Sequence, residues 1–185
     1  MERCPWGTDE LLMRYHDEEW GVPVHEDQRL YEFLVLDGMQ AGLSWLTILR
    51  KREAFREAFD RFDLRTVASY DEEKIEQLMQ NKGIVRNRGK INAAITNARC
   101  VLALQEEGIT FDDFLWGFVG HRMIRNNPVT FRDIPVTSKE SEAMSKALRD
   151  RGFKFVGPTI CYAFMQAVGM VNDHLTLCYR HDQLR

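Results

Sequence analysis

No apolar run in the chain approaches the ~18 residues that a membrane-spanning helix needs. The opening residues, Met-Glu-Arg-Cys-Pro-Trp, lack the apolar core of a secretory leader, so export is not expected. Cysteine is scarce, four in 185 residues at irregular spacing. That argues against a disulfide framework and for a reduced, cytoplasmic setting. Charge of one sign is missing too: 25 Lys and Arg face 28 Asp and Glu, a net of −3. A polycation that coats nucleic acid is excluded, and any DNA binding must use a local basic face. Strand-like alternation is sparse, and internal repeats and low-complexity tracts are absent. With 44% hydrophobic residues, the chain has enough apolar material for one core, read as a single all-α domain over 1–185.

What is present is helical periodicity with caps. Asp27 reads as the cap of a helix through Arg29–Met39, ending near a turn at Gly42. A second helix runs from Trp45 to Phe59. Asp71 caps Glu72–Gln80, with Gly83 just beyond it. From Gly89 to Glu107, Ile91, Ala94, Ile95, Ala98, Val101 and Leu102 recur at helical spacing. Thr137 and Glu140 predict a capping box for a helix to Arg151 that stops at Gly152. Pro158 suits the first turn of Thr159–Val168, closed by Gly169. Residues 120–137 read as a long loop. Cys100 and Cys161 fall in helical runs as small core residues, and His25, His121 and His181 have no evident partner.

Three groups of residues carry chemistry. Cys4 and His16 lie at one end of the chain, His174 and Cys178 at the other, the latter pair at the i, i+4 spacing of a helical turn. Two Cys and two His complete a tetrahedral Zn²⁺ site that has structure but no chemistry to offer. Such a set also arises by chance, so spacing leaves its convergence open. Next, Arg151 to Gly157 joins two predicted helices through a Gly-containing turn, where open N–H groups can hold a phosphate. Lys146, Arg149, Arg151 and Lys154 flank it; a tight corner with a solvated basic face fits equally well. Finally, Trp6, Tyr15, Trp20 and Trp45 are not at helical spacing. Singly such rings are core fillers, but grouped beside the lone carboxylate of Asp37 they suggest a slot for a planar base.

Longer motifs sharpen this. Met1-Glu-Arg-Cys-x-Trp6, Tyr15-His-Asp-x-Glu-Trp-Gly-Val-Pro23, Gln40-Ala-Gly-Leu-Ser-Trp45, Arg88-Gly-Lys-Ile91, and Arg151-Gly-Phe-Lys-Phe-Val-Gly157 through Val171-Asn-Asp-His174 together span nearly the whole chain. It resembles the 3-methyladenine DNA glycosylase I family. The resemblance implies an all-α helix-hairpin-helix glycosylase fold of two lobes, with the hairpin element at about 138–169. It implies a zinc ion joining the chain ends through Cys4, His16, His174 and Cys178. It implies a monomer acting on double-stranded alkylated DNA, flipping the base out and hydrolysing its glycosidic bond. By position, Asp37 matches the catalytic carboxylate and Tyr15 and Trp45 the stacking residues, with Trp6 and Trp20 lining the pocket. Gln40, Gly42 and Leu43 match the loop that enters the duplex, and Lys154, Gly157 and Thr159 the phosphate-binding hairpin.

The chain departs from the family pattern in two places. Asp37 replaces the usual Glu, shortening its reach by roughly 1.5 Å, an offset that can cost ~100-fold. The stretch from Asp9 to Tyr15 is one residue shorter, and Leu12 stands where an aromatic is common. Pro158-Thr159 occupies the site of the nucleophilic Lys of bifunctional relatives, so no Schiff base and a monofunctional hydrolase are expected. Asp173 falls near a catalytic Asp of the wider superfamily, or it orients the zinc shell or caps a helix. Asp17 and Glu19 read as solvated or helix-capping acids. The alternatives to catalysis are a damage-binding protein with weak or no turnover, and a zinc-tied interaction module.

Overall fold

The computed structural model describes residues 2–184. Asp9, whose carboxylate accepts the Leu11 N–H at 3.0 Å, opens α1 (Glu10–Glu18), a helix too short to stand out in the sequence. The central element is α2 (Asp27–Gln40), buried without interruption from Leu30 to Met39. A helix covered on all sides must be apolar nearly all round, and its two buried acids, Glu32 and Asp37, therefore need separate explanation. Around it lie α3 (Trp45–Ala58), α4 (Leu64–Ala68), α5 (Glu72–Gln80), α6 (Arg88–Glu106) and α7 (Phe111–Trp116). The second half holds β1 (Ile124–Arg125), α8 (Lys139–Asp150), α9 (Pro158–Ala167), β2 (Val171–Asn172) and α10 (Tyr179–Gln183). Among the described residues, no helix is long and apolar enough to cross a membrane.

The helices expected from periodicity are present, Asp71 does cap α5 through the Lys74 N–H at 2.9 Å, and two capping assignments change. Asp27 does not cap its own helix. Its carboxylate accepts the N–H groups of Phe111 (3.0 Å) and Asp112 (2.9 Å) and the Gln105 amide (2.7 Å). The first turn of α2 thus supplies the anion that the open N-terminus of α7 needs. At α8 the capping box belongs to Ser138 and Ser141, whose hydroxyls each accept the other's N–H, and not to Thr137 and Glu140. Ser141 is fully buried with its side chain turned back to the cap, while Glu140 is half-buried and faces Lys139 at 3.7 Å.

Residues 120–137 are not wholly irregular. Ile124 and Arg125 pair in parallel with Val171 and Asn172, a two-residue ladder too short to show alternation. Partners appear for two of the three histidines. His25 Nδ1 meets Asp112 at 2.8 Å and its ring stacks on Trp116, and His181 Nε2 meets the Asn126 carbonyl at 3.0 Å. Cys161 is buried and Cys100 half-buried. At the end of α9 the chain needs Gly169: a Cβ there would lie 2.4 Å from the Pro23 nitrogen. That close approach seats α9 against the Trp20–Pro23 turn and forms one wall of the site below.

Candidate functional site

Tyr15 on α1, Asp37 near the end of α2, Trp45 at the start of α3, and Trp6 and Trp20 from the flanking turns converge on one cleft of about 230 Å³. Gln40 closes one side, and Ala163, Gln166 and Ala167 of α9 form the opposite wall. The rings make a continuous series. Trp20 lies 5.1 Å from Trp6 edge-to-face, Trp6 lies 6.4 Å from Tyr15, and Tyr15 lies 5.4 Å from Trp45. Leu12 does not line this cleft. The sequence reading missed the α9 wall; small Ala at 163 and 167 around Gln166, in an otherwise apolar helix, was the available signal.

Two polar atoms in the cleft stand out. Asp37 Oδ2 and Trp45 Nε1 are both buried and have no hydrogen-bond partner within the protein. Burial alone pushes the Asp37 carboxyl well above its ordinary range. Burial, and then the Asp37 charge, pushes the Tyr15 hydroxyl up as well. An unsatisfied buried acceptor costs on the order of 1–3 kcal/mol, so a fold that keeps one reserves it for a ligand donor. Behind Tyr15, Glu19 is the C-cap residue of α1, its N–H on the Tyr15 carbonyl at 2.9 Å, but its carboxylate is not solvated. It is opposed by burial but held below its usual range by Arg52, bound at 2.6 and 2.7 Å, with Arg29 at 3.1 Å.

Beside the cleft, the turn after α2 projects outward. Ala41 to Ser44 are exposed, and Leu43 stands 43% exposed at its tip. Gly42 adopts φ +83°, a left-handed conformation that an L side chain resists. Lys90, which is 8% exposed, reaches from α6 to donate to the Met39 carbonyl at 2.9 Å and the Ala41 carbonyl at 2.6 Å. It satisfies carbonyls orphaned at the end of α2 and complements the helix dipole there. Lys90→Met should lower stability by about 1–3 kcal/mol and loosen the turn. An unchanged melting temperature would refute that role.

The α8–α9 hairpin lies nearby. Asn97 clamps the backbone of Lys154, accepting its N–H at 2.8 Å and donating to its carbonyl at 3.0 Å. The Ser145 hydroxyl donates to the Val156 carbonyl at 2.6 Å. Gly157 precedes α9 with no side-chain cap and open space at its Cα, and Thr159 is exposed in the first turn. Of the basic residues expected to flank the turn, Lys146 pairs with Asp150 and Arg151 with Glu107, and Arg149 turns to the Ser145 carbonyl. Lys154 alone of the four is exposed without an ion pair or side-chain hydrogen bond among the described residues.

Cys4, His16, His174 and Cys178 converge, all buried, with their ligand atoms within 4.8 Å of one another. One expectation fails: residues 174–178 form a turn, with the Cys178 N–H on the Leu175 carbonyl at 2.7 Å, and α10 starts only after Cys178. Asp17, read as solvated or helix-capping, instead takes His16 Nδ1 at 2.8 Å and the Arg3 guanidinium at 2.9 Å, leaving His16 Nε2 facing Cys178 Sγ at 3.3 Å. His174 Nε2 is fixed on the Trp20 carbonyl at 3.0 Å, so Nδ1 faces both sulfurs at 3.5 and 3.8 Å. Burial pushes the Cys4 thiol up to about 12 and the His174 imidazole down to about 3. Two cysteines and two histidines facing one another in a buried pocket suit a closed four-ligand metal site. Asp173 takes no part in this group and caps no helix. It accepts from Asn126, Tyr162 and Gln166, each at 2.7 Å.

The chain was compared with known proteins. A family model described as methyladenine glycosylase matches residues 6–181. DNA-3-methyladenine glycosylase 1 of Escherichia coli K12 is 51% identical over 179 residues, covering 96% of each chain. A crystal structure of 3-methyladenine DNA glycosylase I superposes with a TM-score of 0.95 at 50% identity, covering 96% of this chain and 98% of that one. A variant of such an enzyme, solved in complex with 3-methyladenine, gives 0.93 at 34% identity, covering 97% of each. Matched over almost its whole length in both sequence and structure, the chain belongs to the methyladenine glycosylase family.

Proposed function

We propose that the protein is a monofunctional DNA glycosylase that hydrolyses the N-glycosidic bond of 3-methyladenine in alkylated double-stranded DNA and leaves an abasic site. The observation that carries this reading is the partnerless Asp37 Oδ2 inside an aromatic cleft. Methylation at N3 places a positive charge on the adenine ring and weakens its bond to the sugar, so no acid is needed to activate the leaving group. A flipped cationic base gains cation–π attraction of about 1–2 kcal/mol against the rings of Tyr15 and Trp45. Asp37 accepts from the exocyclic amino group; guanine would present an oxygen there and be repelled. The base cation also favours the ionised form of Asp37, so binding releases the proton that burial retains.

The remaining parts follow the same reading. Trp6 and Trp20 support the stacking rings. Leu43, carried by Gln40 and Gly42, fills the gap left in the duplex, and a lesion that stacks poorly costs less to extract. The element over 138–169 acts as a helix-hairpin-helix, with Lys154, the Gly157 turn and Thr159 receiving a backbone phosphate. Residues 1–185 act as one domain of two helical lobes, monomeric and cytoplasmic. Cys4, His16, His174 and Cys178 would hold a zinc ion, which when bound ties the chain ends and supplies no reactive group.

Incubating purified protein with methylated duplex DNA and detecting the free base tests this. Release of 3-methyladenine above the spontaneous rate is expected, with an uncut strand and no borohydride-trapped adduct. Tight binding without release would leave only a damage-binding protein, and a trapped complex would overturn the monofunctional assignment.

A further inference from the structure

On α9, Gln166 is half-buried and lines two hollows at once. One is the aromatic cleft; the other is a groove of about 280 Å³ that runs past Tyr162 to Thr159 and is bordered by Phe131 and Ile134. Only Ala163 and Gln166 line both. With a base in the cleft and its phosphate near Thr159, the sugar lies over this shared wall, and the glycosidic bond passes between the two hollows. Ala163 has no polar side-chain atom, so Gln166 is the polar side chain at that junction.

Its orientation is fixed. Gln166 Nε2 donates to Asp173 Oδ2 at 2.7 Å. That oxygen also accepts the Tyr162 hydroxyl and offers an acceptor to the amide, so the Gln166 NH₂ group faces Asp173 and Oε1 is the end left free. Asp173 is itself 1% exposed, with Oδ2 also receiving the Tyr162 hydroxyl and Oδ1 the Asn126 amide, each at 2.7 Å. Both of its oxygens are occupied inside the protein, so Asp173 acts through Gln166 and does not face the cleft.

Resting on the glycosylase reading, we propose that Gln166 Oε1 holds the water that attacks the sugar, and that Asp173 is the positioning residue that aims it. The C1′–N9 bond breaks with its electron pair going to the purine, which leaves neutral. The water oxygen forms the new bond to C1′, and its surplus proton passes to bulk water. Gln166 accepts a hydrogen bond and takes no proton. An amide suffices because the leaving group is already cationic, and its oxygen places partial negative charge beside the positive charge that grows at C1′.

Gln166→Met keeps length and removes the acceptor. In single-turnover assays with enzyme in excess, its excision rate should fall about 10- to 100-fold, while melting and affinity for free 3-methyladenine stay within twofold of wild type. Asp173→Asn lets the amide reverse and should slow excision similarly, yet cause no further loss in a Gln166→Met background. A purely structural Asp173 would cost activity in both backgrounds, so multiplying losses overturn the positioning role. A Gln166→Met rate within twofold of wild type, or a parallel fall in base affinity, overturns the water-binding role even if Asp173→Asn does not fold. Wild-type release is measured alongside; its absence would sink the glycosylase reading instead.

Discussion

Asp37→Asn is expected to lose about 100-fold in base excision while gaining stability at neutral and alkaline pH. The two effects share one cause. The carboxylate is 4% exposed, Oδ2 has no partner, and burial raises its pKa well above the ordinary value. Below the unfolded pKa, near 3.9, both folded and unfolded chains are protonated there and the group is neutral in the balance. As pH rises past that value the unfolded chain ionises first and binds fewer protons than the folded one. Stability therefore falls with rising pH until the folded pKa is passed. Asparagine removes this dependence and leaves the shape of the cleft intact. Thermal melts from pH 4 to 8 should show the variant's advantage growing with pH, to on the order of 1–3 kcal/mol. Affinity for undamaged duplex should be unchanged. A pH-independent difference would contradict the buried-acid account, and equal loss of excision and duplex binding would assign Asp37 a folding role.

The second large effect concerns the chain ends. With zinc held as proposed, Cys178→Ser, or a chelator, should remove the metal and lower the melting temperature together, because metal affinity and folding are coupled. Cys4, Leu175 and Cys178 form a small apolar cluster apart from the main core. Trp6 and Trp20 pack against it, and the Tyr179 N–H reaches the Glu2 carbonyl at 3.0 Å. Without the ion, Cys4, His16, His174 and Cys178 lose the bonds that would tie the two chain ends together. A loss of roughly 4 kcal/mol would lower melting by about 10 °C in a chain of this size. Excision should fall as well, since the His174 ring fixes the Trp20 carbonyl and His16 packs 5.2 Å from Trp6. Metal-free protein with a normal melting temperature and full activity would contradict the link between centre and cleft.

Different parts of the molecule were legible to different degrees. The long helices could be read because a 3.6-residue period survives in any amphipathic or buried helix, as in α6 with Ile91, Ala94, Ile95 and Ala98. The two-residue ladder of Ile124–Arg125 with Val171–Asn172 could not, since no period fits in two residues. Motif spacing named the aromatic rings, Asp37 and the four Cys and His, which the fold does bring together. The same reading misjudged Asp17, Asp27 and Asp173. Each of these acids has its partner more than ten residues away, or on a ring whose orientation the sequence does not specify.

By itself, then, the sequence determined the helical class, the family, and the residue types available for stacking, accepting and binding metal, because these depend on composition and local order. Only the tertiary structure decided which oxygens are spoken for. Asp173 is saturated by three donors and Asp37 is left without one, although both are buried aspartates. That difference arises from contacts between distant segments. It turns on the loss of water around each carboxylate and on whether a neighbouring element replaces it, which no short stretch of chain encodes.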